Sequence, residues 1–257
     1  MQVFATCMVC LSELGHPSPE AFFLPYYDDR IAYVTCARGH KSALIVQSTK
    51  FEVLLEAGAN SLADGQTLEA ATSFATALER FYEFCVEVFC THREMPYPIY
   101  QRMFKDMARQ SERQIGAFLV LHAAELGYAY EVNSEIAQFR NGVIHKGTIP
   151  NPEQASKFCG MIYKEIWSLS KILSSKYTAT YNEVIFRDLK ERAKQIPDNM
   201  PRATSTGTIF FRSGKETFQE AYEQYVHGRN MIRLAPSLLP IFSNALASRT
   251  RKPDPHK

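Results

Sequence analysis

The stretch "TLEAATSFATALERFYEFCVEVF", Thr67 to Phe89, decides the fold class. Its apolar residues Leu68, Ala71, Phe74, Leu78, Phe81, Cys85 and Val88 recur in steps of three and four. That spacing lays one apolar stripe along a helix, where a half-buried strand would alternate. "MPYP" at 95–98 closes the segment, and Asp64-Gly65 marks a break before it.

The same period runs outward on both sides. "FEVLLEAGANSL" places Phe51, Leu54, Leu55 and Leu62 near one helical face. Ile99 to Leu126 reads as one helix with a kink near Gly116. Another is expected from Val132 to Lys146, with Gly147 as cap and Pro150 preventing continuation. The next opens with Asn151 as N-cap and Pro152 at its first position, and reaches Lys176. Residues 50–176 therefore read as a helical block.

The flanks differ in composition. Residues 1–49 are rich in Cys, Pro, Tyr and β-formers, with "AFFLPYYDDR" and "IAYVTCARGHKSALIV" as short strands. Residues 177–257 hold two helix-like runs, "NEVIFRDLKERAKQI" and "KETFQEAYEQYVHGRNMI", separated by a Pro/Ser/Thr/Gly stretch at 197–214. The tail "SRTRKPDPHK" reads as disordered. Arg187, Lys190, Arg192 and Lys194 interleave with Asp188 and Glu191, the pattern of a solvated helix face.

Totals exclude some classes. The chain has 46% hydrophobic and 22% charged residues, ordinary for a globular protein, and a net charge of +2. An anionic ligand must then be met by a local patch, not by a wholly basic domain. No run approaches the roughly 18 uninterrupted apolar residues of a membrane span. "MQVFATCMVC" does not read as a signal peptide, so the expected location is the cytoplasm, with reduced cysteines.

One polar group stands out at the end of the Val132–Lys146 helix, in "FRNGVIHKGTIP". Asn141 and His145 are four apart and share a face, where the amide can orient the imidazole. Arg140 is offset, but its guanidinium can swing to the same region and clasp a phosphate through paired donors. An imidazole can take a proton from a ribose 2′-OH or give one to a leaving 5′-oxygen. An arginine can stabilise the charge that grows on phosphorus. The plainer reading is a histidine complementing a helix dipole.

"FRNGVIHKG" at a helix end, with the upstream "ALERFYEF" helix, resembles the HEPN superfamily (higher eukaryote and prokaryote nucleotide-binding domain). The family signature is an Arg, a polar residue and then a His; here Asn141 to Ile144 fill the interval. The resemblance covers residues 50–176. It implies a bundle of four or five helices that pairs as a homodimer and cuts single-stranded RNA without a metal. It also implies Arg140 as phosphate clamp, Asn141 as orienting residue and His145 as acid/base. Glu79 and Glu83, on the preceding long helix, are candidate partners for Arg140 or else solvated charges, and Lys146 can assist on the RNA backbone. One family variant carries a Tyr two residues beyond the His, the target of a partner nucleotidyltransferase; here that position is Gly147. Many members are toxins or act in antiphage defence, restrained by an antitoxin or regulator; others are non-catalytic scaffolds.

The front end offers Cys7, Cys10, Cys36 and His40, two close pairs of soft ligands that suit a closed tetrahedral zinc site. His16 is a weaker substitute. The alternative is that these cysteines are buried small hydrophobes, as expected for Cys85, Cys90 and Cys159. A zinc there would be structural, since so short a segment has too little core to hold itself together. Arg38 and Lys41 offer at most a slight nucleic-acid contact. "HGRN" at 227–230 and Tyr222 and Tyr225 read as structural before they read as RNA contacts.

The expected chain is mainly α. It has a zinc-ribbon-like subdomain at 1–49, a HEPN-type bundle at 50–176 and an α-rich extension at 177–257. The expected function is a metal-independent endoribonuclease acting as a homodimer. The alternatives are a scaffold binding RNA, a nucleotide or a regulatory protein, and a zinc-dependent nucleic-acid-binding regulator.

Overall fold

A computed structural model describes residues 1–15, 22–108 and 110–230. His16 and the tail at 248–257 lie outside them. The described chain is mainly helical with a small sheet region. The front end runs β1 (Gln2–Ala5), α1 (Met8–Leu14), β2 (Phe22–Pro25), β3 (Ile31–Thr35) and β4 (Lys41–Val46). Helices α2 (Lys50–Ala63), α3 (Thr67–His92), α4 (Tyr97–Met107), α5 (Ser111–Leu126), α6 (Ser134–Lys146), α7 (Pro152–Lys176) and α8 (Thr178–Ala193) follow. The chain continues through β5 (Arg202–Ser205), a 3-10 turn (Phe211–Ser213) and a last helix, α9, at residues 218–230.

α3 is the central rod. Ala70, Ala71, Phe74, Ala77, Phe81, Cys85, Val86 and Val88 are inaccessible to solvent along it, and α2, α5, α6, α7 and α8 pack around it. The expected stripe is therefore one side of a helix buried on more than one side. α2 approaches closely because residue 58 has no side chain; a Cβ on Gly58 would run into the ring of Phe74. Each fully buried aromatic of this core, such as Phe51, Phe81 and Phe158, contributes about 1.5–3 kcal/mol by leaving water.

Local signals set several helix ends. Asn151 and Gln154 form a reciprocal capping box ahead of α7. Gly147 takes φ 66° after α6, and the Thr148 amide closes back on the Gly142 carbonyl at 3.0 Å. The expected helix over 99–126 is two helices. Its two parts are α4 and α5, with Gln110 extended (φ −143°, ψ 126°) just ahead of α5, and Gly116 sits inside unbroken α5. The polar run from Arg109 to Arg113 presents no apolar face to continue the stripe, and Ser111-Glu112 opens a new helix.

β1 and β2 form an antiparallel pair; β3, β4 and β5 form a second sheet in which β5 lies parallel to β4. Residues from the C-terminal extension thus complete the front-end sheet. Arg192 donates to the Val46 carbonyl at 2.8 Å, and Asp188 accepts from both Arg30 and Arg192. The solvated-face reading of α8 fails for two of its cations. Arg192 is 4% exposed, and Arg187 pairs with Glu87 at 3.1 Å while stacking on Tyr97. Lys190 and Lys194 are exposed as expected. In the run 197–214, Glu56 accepts the amides of Ile209 and Phe210, pinning Phe210 into the core. At the far end Arg229 of "HGRN" is buried on the Asn60 carbonyl and Asp64, and Tyr225 is buried in the core, so the structural reading of both holds.

Candidate functional site

Cys7 caps α1, and the Cys10 amide one turn later donates to its sulfur at 3.4 Å. The front end is thus helical here, not only stranded. Cys36 and His40 sit in the turn between β3 and β4, closed by the Gly39 amide on the Cys36 carbonyl at 2.8 Å. Gly39 has φ 78°, a left-handed geometry that favours glycine. The two turns meet. The four ligand atoms all lie within 4.8 Å of one another, from three buried cysteines and a half-buried histidine.

The distances test the zinc reading. Cys10 Sγ is 3.8 Å from Cys36 Sγ and 3.4 Å from His40 Nδ1, while Cys7 Sγ is 4.0 Å from Nδ1. A tetrahedron with zinc–sulfur bonds of about 2.3 Å and zinc–nitrogen bonds of about 2.0–2.1 Å has edges of roughly 3.5–3.8 Å. The donor set fits that metal, and all six cysteines are free of disulfides. Two neighbours support it. Glu13 Oε1 is 3.8 Å from His40 Nε2, and Arg38 pairs with Glu13 at 2.8 Å while reaching Cys10 Sγ at 3.9 Å. Such outer partners orient a ligating imidazole and stabilise thiolate charge. Glu13 was not singled out from sequence; its position three residues after Cys10, on the same helix face, is the signal that finds it. Lys41 is exposed. Cys85, Cys90 and Cys159 are buried helix residues, and burial pushes each thiol up.

The second group lies at the end of α6. Arg140 forms an ion pair with Glu79 of α3. Arg140, Asn141 and Glu79 line a small cavity of about 100 Å³, with Tyr82 and Ile136 in its walls. His145, one turn beyond Asn141, is exposed, as is Lys146. Among the described residues neither Asn141 nor His145 makes a side-chain hydrogen bond, so the expected amide–imidazole contact is not formed here. Glu83 does not join Arg140. Its Oε1 lies 2.5 Å from Arg80 Nη1, which also places Arg80 near Glu79 at 3.9 Å. Both carboxylates are largely buried, at 19% and 15% side-chain exposure, so neither is a solvated charge. Burial pushes the Glu83 carboxyl up to about 7 against the pull of Arg80 and Lys50.

No described helix is long and apolar enough to cross a membrane. No family model matches the chain, and neither a curated protein nor a solved structure matches it significantly.

Proposed function

We propose that the chain is a metal-independent endoribonuclease of HEPN type that acts as a homodimer on single-stranded RNA, in antiphage defence or toxin-like RNA restriction. The observation that carries this reading is the placement of Arg140 and Asn141 at one cavity mouth, with His145 one turn on at an exposed helix end. The RNA 2′-oxygen attacks phosphorus and the 5′-oxygen leaves, giving a cyclic phosphate and a 5′-hydroxyl. His145 of one chain takes the 2′ proton, and its counterpart in the second chain supplies one to the 5′-oxygen. Arg140 exchanges Glu79 for the phosphate and stabilises its added charge. Zinc held by Cys7, Cys10, Cys36 and His40 would be structural: four protein ligands leave no open position for chemistry.

The test is cleavage of single-stranded RNA in EDTA by the purified chain and by His145→Ala, with folding checked by circular dichroism. The proposal expects cyclic-phosphate ends from the first and none from the folded variant.

A second reading has its own support. Arg140 is already neutralised by Glu79, and Asn141 does not hold the imidazole. Both features suit a non-catalytic scaffold that binds RNA, a nucleotide or a regulatory protein, for which binding survives His145→Ala and no turnover occurs.

A further inference from the structure

A larger cleft opens elsewhere, where the front end meets the helical block. Its volume is about 460 Å³, within the roughly 300–1,000 Å³ of small-molecule sites. One wall is aromatic. Tyr97, Tyr100 and Phe104 lie three and four apart on α4, with near-parallel rings 6.1 and 5.5 Å apart. The other walls are basic, with Arg30 before β3, Lys50 at the first position of α2, Arg80 on α3 and Lys105 on α4.

Four cations face three carboxylates in the lining. Lys105 has no ion-pair partner among the described residues. Among the described residues Lys50 pairs only with the exposed Asp28, and both side chains remain open to water at 48% and 80% exposure. Arg30 is 8% exposed and spends two nitrogens on Ser48 and Asp188, leaving its buried Nε unpaired; the Nε of Arg80 is likewise buried and unpaired. Three carboxylates share the lining and are engaged there: Glu83 pairs with Arg80, Glu87 with Arg187 and Asp188 with Arg30, which leaves the two lysines as the cations open to a ligand.

We propose that this cleft binds a nucleoside phosphate, free or as one residue of an RNA strand, with its phosphate at Lys50 and Lys105 and its base against the part-exposed Phe104 end of the α4 aromatic wall. Cations recognise phosphate as point charges or forks, and every nucleobase offers a flat face to an aromatic ring. The site shares neither Arg140 nor His145, so it stands whether or not the chain cuts RNA.

Full-length protein is titrated calorimetrically with AMP, GMP and a 2′-O-methyl oligonucleotide that cannot be cleaved. Saturable binding of a monophosphate assigns the free nucleotide; binding of the oligonucleotide alone assigns the strand. In either case Lys50→Ala/Lys105→Ala, both at exposed positions, weakens binding by about tenfold or more. Gln101→Trp, which fills the cleft from its exposed rim, does the same, while His145→Ala leaves monophosphate binding unchanged. The proposal is overturned if neither ligand binds, or if binding ignores both cleft variants.

Discussion

Arg140 of α6 and Glu79 of α3 are joined by an ion pair that bridges two helices at the mouth of a small cavity. The pair fixes where the guanidinium points and also occupies the charge that a phosphate would need. Glu79 therefore positions Arg140 and would compete with a phosphate for it.

Glu79→Gln keeps the side-chain shape but removes the competing charge. We expect RNA affinity to rise by about threefold to tenfold, with a stability cost near 1 kcal/mol for a partly buried pair. Fluorescence anisotropy with labelled RNA and urea unfolding read the two effects. Unchanged or weaker RNA binding in a folded variant would show that Arg140 is a structural cation.

The Cys7, Cys10, Cys36 and His40 cluster predicts one zinc per chain, measurable by native mass spectrometry. Cys36→Ser should lose the metal and expose the front end to proteolysis, since ligation supplies folding energy that the small sheet lacks. Cys85→Ser, in the helical core, should keep the metal while losing stability by about 1–3 kcal/mol through a buried hydroxyl. Full stability without bound metal would refute the assignment.

These features were unequally legible. The α3 stripe, the Asn151 cap and the Gly147 terminus are local patterns, and each appears where the sequence places it. The meeting of Cys7 and Cys10 with Cys36 and His40 was legible because soft ligands in two tight turns have few other uses. β5 was not, because a parallel pairing with β4 about 160 residues earlier leaves no local mark. Nor was the fate of α8, whose alternating charges resemble a wet surface until Arg192 and Arg187 find partners on other elements. Glu79 and Glu83 looked equivalent one turn apart; Arg80 captures the second and leaves the first to Arg140.

His122 supplies a pH test. It is inaccessible to solvent among Phe118, Tyr128 and Tyr130, its Nδ1 3.3 Å from the Tyr128 carbonyl and its Nε2 unpaired. Burial lowers its pKa, with the carbonyl opposing. The unfolded chain then protonates first, so this contribution to stability is intact above about pH 6.5 and is lost as pH falls through the folded value. His122→Phe keeps a ring in the cavity and removes the proton. Urea midpoints of the wild type should fall more steeply than those of the variant between pH 8 and pH 5. Parallel curves would mean that the imidazole is not held neutral.

Asp188 ties α8 to the front end, accepting from Arg30 at 2.7 Å and from Arg192 at 2.9 Å. Those side chains are only 10% and 5% exposed, whereas Asp188 is 40% exposed. Burial and then Arg30 lower the Arg192 pKa, so the two cations disfavour each other and depend on the shared carboxylate. Asp188→Ala strands both and should cost about 3 kcal/mol, toward the low end for a broken buried pair because water reaches Asp188. Arg192→Met removes one charge along with its need for a partner and should cost less, about 1–2 kcal/mol, chiefly the lost bond to Val46. Urea unfolding of the two variants ranks them, and the reverse order would mean that the arginines hold the sheet independently of Asp188.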